Sequence, residues 1–336
     1  MPSFSGIIKL DAGCRLDAYI ARNLRLLTRS QIKARKLNAL VNGKPVKLSY
    51  NVKNGEQLEL VWEDAPPLRI IPEDIPLDII YEDKHIIVVN KRQGMVVHPG
   101  AGNHSGTLMN ALLFRKSPQT SGAESSKCID SEYISEFDTS SSRPFIVHRL
   151  DKDTSGVIIC AYDDVSLRFL SEQFKARTVR KLYYALVSGV PHNSAGIIDT
   201  FICRHKYERK KFTAITKTNA GGAQTAAPSR GKRAITRYKV LKTFPADGGK
   251  GLSFSLLALI PKTGRTHQIR VHLRHIGHPV LGDPLYAFGN RAANSANKTL
   301  PSLMLHAARL RILLPDANEP STFKAPLPER FKKVLS

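Results

Sequence analysis

The chain has 336 residues, 42% of them hydrophobic, enough for one large core and a small appended module. Its 51 Lys and Arg against 28 Asp and Glu leave a formal charge of +23, which points to a polyanionic partner, while the hydrophobic content excludes a disordered basic tail. No run approaches the roughly 18 apolar residues of a membrane span, and the N-terminus lacks the basic start and apolar core of a leader, so a cytoplasmic chain with no membrane contact is expected. Cys14, Cys128, Cys160 and Cys203 are widely spaced, without a CxxC pair, and read as reduced thiols.

In "CRLDAYIARNL" the residues Leu16, Tyr19, Ile20 and Leu24 recur at helical spacing. Ser30 is placed to cap a second helix, "QIKARKL", with Asn38 at its left-handed end. Asn42-Gly43 between short apolar runs predicts a tight hairpin, and "EQLELVW" a closing strand. These elements form a module over 13–63. Arg22, Arg25, Arg29, Lys33, Arg35 and Lys36 cluster on its helices, balanced in this run by Asp17 alone. That face suits a phosphate backbone; the plainer reading is a solvated helix surface.

Four prolines in "EDAPPLRIIPEDIP" predict a linker over 64–75, and the rest, 76–330, reads as one larger domain. There "DIIYEDKHIIVVNKRQGMVVHPG" suggests two strands and a turn, "TLMNALLFRK" a helix, and 117–142 a polar inserted loop. "FIVHRL" and "VIICAYD" read as strands around the loop Asp151 to Gly156. "VSLRFLSEQFKAR" is helical by spacing, "KLYYALVSG" and "RAITRYKVLKTF" are strands, and 217–232 is a second polar loop. No repeat at solenoid periods is found.

Asp151 follows an apolar run and precedes Thr154, Ser155 and Gly156, a setting that could hold one carboxylate at a fixed angle. An Asp capping its own turn is the plainer alternative. In "PKTGRTHQIRVHLRHIGHPVLGDPLY", Thr266 is placed to cap a helix burying Ile269, Leu273 and Ile276 and ending at Gly277. Arg270 and Arg274 share one side of it, so that one could reach a carboxylate while the other meets phosphate. His267, His272, His275 and His278 do not share one face and have no acidic or Cys ligand among them, so no metal is expected. A glycoside hydrolase usually needs two carboxylates across the bond, and Asp153 lies too near Asp151 in the chain to serve.

"HRLDKDTSG", "RKLYYALVSG", "KTGRTHQIRVHLRHIGHPVLGD" and "LMLHAARL" resemble, in order, the signature segments of the large-subunit ribosomal RNA pseudouridine synthases, the family of the A, C and D enzymes. "IIVVNKRQGMVVHPGAGNHSGTLMNALL" follows the same pattern, and the N-terminal unit is similar to the RNA-binding module of small-subunit ribosomal protein S-four. The likeness runs over about residues 13 to 315. Arg92, where the family commonly has Pro, and the two polar loops depart from it.

The resemblance implies an α+β protein: a small N-terminal α/β RNA-binding module and a catalytic domain on a largely antiparallel mixed sheet with a central cleft. It implies site-specific conversion of uridine to its carbon-linked isomer in structured RNA, with large-subunit ribosomal RNA within an assembling subunit as the expected substrate, by a monomer without cofactor. Asp151 matches the catalytic aspartate, which attacks ribose carbon 1′ or removes the carbon 2′ proton; both remain open. Arg270 matches the cation that favours its ionised form. Arg149 matches a residue that helps hold a flipped nucleotide, Tyr183 a ring that stacks on uracil, and Leu305 packing against the base or Tyr183. Thr154 and His267 count with them as substrate contacts. The rival classes are a non-catalytic ribosome-assembly protein and a nucleotide-directed hydrolase.

Overall fold

The computed structural model describes residues 2–10, 13–24, 26–27, 29–63, 70–100, 102–116, 146–216, 231–245, 253–287 and 302–336. The chain divides into two compact units, Met1–Arg69 and Ile70–Ser336. Residues 117–142 and most of 217–232 lie outside the described residues, although Lys232 opens a strand.

The smaller unit contains β1 (Ser3–Ile7), β2 (Cys14–Arg15), α1 (Leu16–Tyr19) running into a π-helical turn (Ile20–Leu24), α2 (Arg29–Ala34), β3 (Asn38–Val41), β4 (Lys44–Pro45), β5 (Asn51–Val52) and β6 (Gln57–Val61). One sheet runs β1-β6-β3-β4, and β2 pairs β5. Alternation turns Leu58, Leu60, Ala39 and Val41 toward Leu16, Tyr19, Ile20 and Ile32 of the helices, in one apolar cluster. The hairpin forms at Asn42 and Gly43, both at positive φ, 50° and 74°, as the tight turn between β3 and β4 requires. Two expected caps are corrected. Ser30 lies inside α2, and the left-handed residue after it is Lys36, φ 43°, so that Asn38 begins β3 instead. The backbone there turns to bring Leu37 and Ala39 into the core.

The larger unit begins earlier than the proline count suggested. Ile70 packs on Met109 and Leu113, and the Glu73 carboxylate accepts from the Gly106 N–H, so 70–75 belongs to this unit rather than to a linker. Its strands are β7 (Ile79–Glu82), β8 (Ile86–Lys91), β9 (Ser155–Ala161), β10 (Arg180–Ser188), β11 (Ala195–Arg204), β12 (Phe212–Ile215), β13 (Lys232–Phe244), β14 (Phe254–Pro261), β15 (Leu305–Leu313) and β16 (Pro320–Lys324). Helices α3 (Leu108–Lys116), α4 (Asp164–Ala176), α5 (Gln268–His275) and α6 (Glu329–Leu335) accompany them. The strands form one mixed sheet in the order β12-β11-β13-β14-β10-β15-β9-β8-β7, with β16 also on β15. Its described pairings are antiparallel except for β9 with β15.

That parallel seam joins the two parts of the sheet through only two register pairs, Ser155 with His306 and Ala307 with Gly156. It is closed by buried polar groups. Ser155 Oγ lies 2.9 Å from His306 Nδ1 and accepts from Arg330 Nη2 at 2.6 Å, while the same Arg330 nitrogen reaches the Leu305 carbonyl. Gly156 sits at φ 114°, where a Cβ would run into the Ala307 backbone. Only glycine suits that close approach. Gly156→Ala is therefore expected to cost about 2–4 kcal/mol in urea unfolding, through strain and clash together. Unaltered stability would mean that the seam can open at no cost.

Candidate active site

Residues 146–150 were expected as a strand, and the structure corrects this. Apart from one isolated bridge, Ile146 to Cys160, the segment runs as loop into Asp151. The reason is that His148 Nε2 takes the Ile159 N–H and the ring stacks on Phe174, so a side chain occupies a ladder donor of β9. Burial pulls His148 down to a pKa of about 3, which keeps that nitrogen free to accept.

The turn carrying Asp151 is fixed from below. Its own closure is backbone, Thr154 N–H to the Asp151 carbonyl at 3.1 Å, so the carboxylate is not used as a cap. The loop after β8 holds the next residues: Gly94 N–H and Lys91 Nζ both donate to the Lys152 carbonyl, at 3.0 Å each, and Gln93 Nε2 donates to the Asp153 carbonyl at 3.0 Å. Lys91 is fully buried and donates also to the Arg92 and Met95 carbonyls. Burial lowers its pKa to about 7 against the pull of Asp153 and Asp151. Three carbonyls nevertheless call for three hydrogens, which only the ammonium has. Nothing in the sequence flags Lys91 beyond its place after an apolar run.

On α5, Arg270 reaches Asp151, its Nη1 lying 3.3 Å from Oδ2. Its stronger partner is Asp283, which no spacing argument singled out. Nε and Nη2 of Arg270 donate to the two Asp283 oxygens at 2.7 and 2.8 Å, and Asp283 Oδ1 also takes the N–H groups of Leu285 and Tyr286. The guanidinium lies over the Tyr286 ring, 5.1 Å from its centre. Burial opposes the Arg270 charge, but the hydrogen bond and charge of Asp283, with the charge of Asp151, outweigh it and raise the pKa. Asp283 stands inside an apolar run with Val280 and Leu281. A buried carboxylate there is legible only as one that requires a cation.

The helix start differs from expectation. Thr266 is exposed and does not cap α5; His267 takes the position, left-handed at φ 54°, with Nδ1 hydrogen-bonded to Tyr286 Oη at 2.8 Å. No side chain caps the first turn; Gln268 instead ties down the loop before it, its Oε1 accepting from Thr263 Oγ1 and the Arg265 N–H. Arg274 stays exposed, and Ile276 is half-buried.

Asp151, Arg270, Tyr183, Leu305, Thr154, His267 and Arg149 line one cleft of about 570 Å³. Tyr183 is brought there by a bulge in β10 between Leu182 and Tyr183, and burial, with the Asp151 charge, raises its pKa. Leu305 is buried at the start of β15 in the cluster against which Tyr183 packs. Thr154 is buried beneath the turn, and Arg149 is exposed at the mouth, lining this cleft and an adjoining one of about 680 Å³. Lys181 also faces the cleft, where burial lowers its pKa.

The four clustered histidines take different partners. His272 sits between Thr236 and Thr200, His278 bonds to the Ser188 carbonyl, His267 to Tyr286, and His275 is exposed. In the smaller unit Arg22 is exposed. Arg29 faces Asp17 at 3.5 Å, and Lys36 pairs with Glu63 at 3.0 Å, so the run is balanced by two acids and not by Asp17 alone. Arg35 is half-buried, while Arg25 and the Lys33 side chain lie outside the described residues.

The cleft thus sets Asp151 beside Arg270 and Tyr183 on a largely antiparallel sheet, among further cations at Arg149 and Lys181. Residues 85–275 match the family model described as RNA pseudouridylate synthase. A Chlorobaculum parvum protein named as an uncharacterized RNA pseudouridine synthase is 39% identical, over 98% of this chain and 95% of its own. The ribosomal large subunit pseudouridine synthase D of Borreliella burgdorferi is 40% identical over 96% of this chain and 89% of its own. Among solved structures, human RNA pseudouridylate synthase domain containing 4 is 28% identical, with a TM-score of 0.56, over 76% of this chain and 91% of that one. The chain belongs to the RNA pseudouridine synthase family and isomerises uridine in RNA.

Two outcomes follow from the buried charges. Asp283→Asn leaves the Arg270 charge without its two-point partner, and urea unfolding should show a loss of about 3 kcal/mol; an unchanged midpoint would contradict the pairing. His272 and His306 are buried, and burial lowers both to about 4, below the unfolded value. The unfolded chain therefore takes up protons first as pH falls. Between pH 6.5 and 5 stability should drop by up to ~1.4 kcal/mol per pH unit for each such histidine, and a flat profile there would show them already charged.

Proposed function

We propose that the chain forms pseudouridine at chosen sites of large-subunit ribosomal RNA, with Asp151 as its single reactive carboxylate acting on a nucleotide flipped out of its stack. The observation that carries this reading is the contact of Arg270 with Asp151 in a cleft that also presents Tyr183. The target base lies inside folded RNA, so it must leave its stack before a recessed carboxylate can reach it. Arg149 at the mouth is placed to fill or hold the gap.

The chemistry breaks the bond from carbon 1′ to nitrogen 1, turns the uracil, and forms a bond from carbon 1′ to carbon 5. The proton on carbon 5 leaves and nitrogen 1 gains one, so no water is consumed. Asp151 begins this either by attack on carbon 1′ or by taking the carbon 2′ proton. Arg270, itself held by Asp283, favours the carboxylate form in both. Tyr183 offers its ring to the uracil and its hydroxyl to the proton transfer at carbon 5. Leu305 at the floor excludes water that would otherwise hydrolyse the intermediate.

A hydrolase acting on nucleotides would need a second carboxylate. Asp283 is the other acid bonded to Arg270, and it is fully buried with both oxygens engaged. A purely RNA-binding protein would have no use for a buried cation aimed at a lone Asp. The smaller unit, with its exposed Arg22, adds affinity in the manner of an S-four-like module.

Asp151→Asn preserves shape and should lower turnover by roughly four orders of magnitude while RNA affinity holds. Pseudouridine mapping in ribosomal RNA from cells with the wild-type chain, the variant or neither should show the same missing sites in the last two. Sites that persist with the variant would remove Asp151 from the chemistry. Tyr183→Phe keeps the ring; a slower rate at unaltered affinity supports proton transfer by the hydroxyl, and an unaltered rate limits Tyr183 to stacking.

A further inference from the structure

The large sheet carries a second feature on the face opposite Tyr183. Tyr183 pairs with Leu259, and Leu259 with Tyr238, so these three share one face. Their neighbours Ile260 and Arg237 therefore point the other way, and Leu182 and Arg309, beyond the β10 bulge, line one hollow with them. Arg237 pairs with Ile260, Leu182 with Arg309, and Arg309 with Lys324. The result is a row across five strands, β13, β14, β10, β15 and β16, roughly 19 Å long at ordinary strand spacing. It begins and ends in cations around an apolar middle. One step along, Arg180 pairs with Arg311.

Arg180, Arg237, Arg309, Arg311 and Lys324 are all exposed, and none has an ion-pair partner among the described residues. On the same face Asp199 is already engaged by Arg233. An ordinary solvated sheet face interleaves both signs, because like charges on adjacent strands repel. Here one sign is kept at that cost, with no internal anion to relieve it.

The row borders a concavity of about 740 Å³ whose described lining includes Arg180, Arg237 and Arg309 and no acid. This concavity shares Arg177, Val179, Lys181, Pro261 and Lys262 with the catalytic cleft. The shared residues are the lead-in to β10 and the end of β14, which are neighbouring strand ends. The two hollows thus communicate around one end of the sheet, over a saddle that itself carries Arg177, Lys181 and Lys262.

We infer that the face opposite Tyr183 is a track for the phosphate backbone of the substrate RNA, taking the strand as it leaves the cleft over the Lys181 saddle. This rests on RNA as the substrate and on the cleft as the site of the flipped nucleotide, and it adds the path of the flanking chain. The cations meet successive phosphates, while Leu182 and Ile260 between them offer an apolar floor to ribose. Such contacts position without reading sequence.

The test uses the full chain and oligouridylates of about five and about fifteen nucleotides, the shorter able to fill only the cleft, with binding measured over a range of salt. Arg237→Gln, Arg309→Gln and Lys324→Gln combined should weaken the longer RNA at least tenfold and leave the shorter unaffected. The log–log salt slope for the longer RNA should fall by about 2, as for three single-strand phosphate contacts. Arg180→Gln with Arg311→Gln, one step along, should act in the same direction, and thermal unfolding checks that both variants are folded. An unchanged slope and length dependence would overturn the track and leave the row to an acidic protein surface. Equal losses for both lengths would also overturn it, since the cations would then act through the cleft. Uridine conversion is scored separately with Asp151→Asn, so a failure of the catalytic assignment leaves the length dependence readable.

Discussion

The site depends on how one guanidinium is held. Arg270 sits almost out of reach of water, where an isolated charge would be costly, and Asp283 compensates it with two parallel hydrogen bonds. Because Asp283 takes Nε and Nη2, the fork has one direction left, and Nη1 is aimed at Asp151. The cation in the cleft is therefore set before any RNA arrives. A flexible Lys at the same place would hold neither the two-point geometry nor the direction.

The opposing half of the site is held as firmly by different means. Asp151 stands on a backbone turn supported by Lys91, Gln93 and Gly94, and the strand that follows enters the parallel seam with β15. Gly156 permits the close approach at that seam, and Arg330 ties Ser155 of one strand to the Leu305 carbonyl of the other. Leu305 begins the strand that lies beside Tyr183 on β10. Leu305 and Tyr183 thus come from the adjacent strands β15 and β10, Asp151 from the turn that leads into their neighbour β9, and Arg270 from helix α5. Preorganisation of this kind lets binding energy go to the nucleotide rather than to assembling the site.

Much of this could be read in the chain. The segments of α3, α4 and α5 read as helices, Asn42-Gly43 as a hairpin, and the residues around Asp151 and Arg270 as parts of one site, which the cleft brings together. What escaped notice were features fixed by tertiary contacts. Ile146 to Leu150 belongs to a run with the composition of a strand, yet His148 takes a ladder donor and leaves these residues as loop. Thr266 has the chemistry of a cap, but a left-handed His267 takes the position without a side-chain cap, its ring bonded to Tyr286. Edge strand β1 is half-exposed along its length and gives no apolar alternation strong enough to notice. Asp283 and Lys91 are single charges in apolar runs, and their partners, Arg270 and the Lys152 carbonyl, are set by the fold.

If Asp283 acts on Asp151 only through Arg270, the two supporting residues must behave as one unit. Single-turnover rates at saturating RNA for Arg270→Lys, Asp283→Asn and the double variant measure this directly. The account predicts strong coupling: once either residue is changed, changing the other costs little more, with an interaction of about 1–3 kcal/mol. Losses that simply add would show that Asp283 supports the fold alone, and that the cation facing Asp151 does not depend on it.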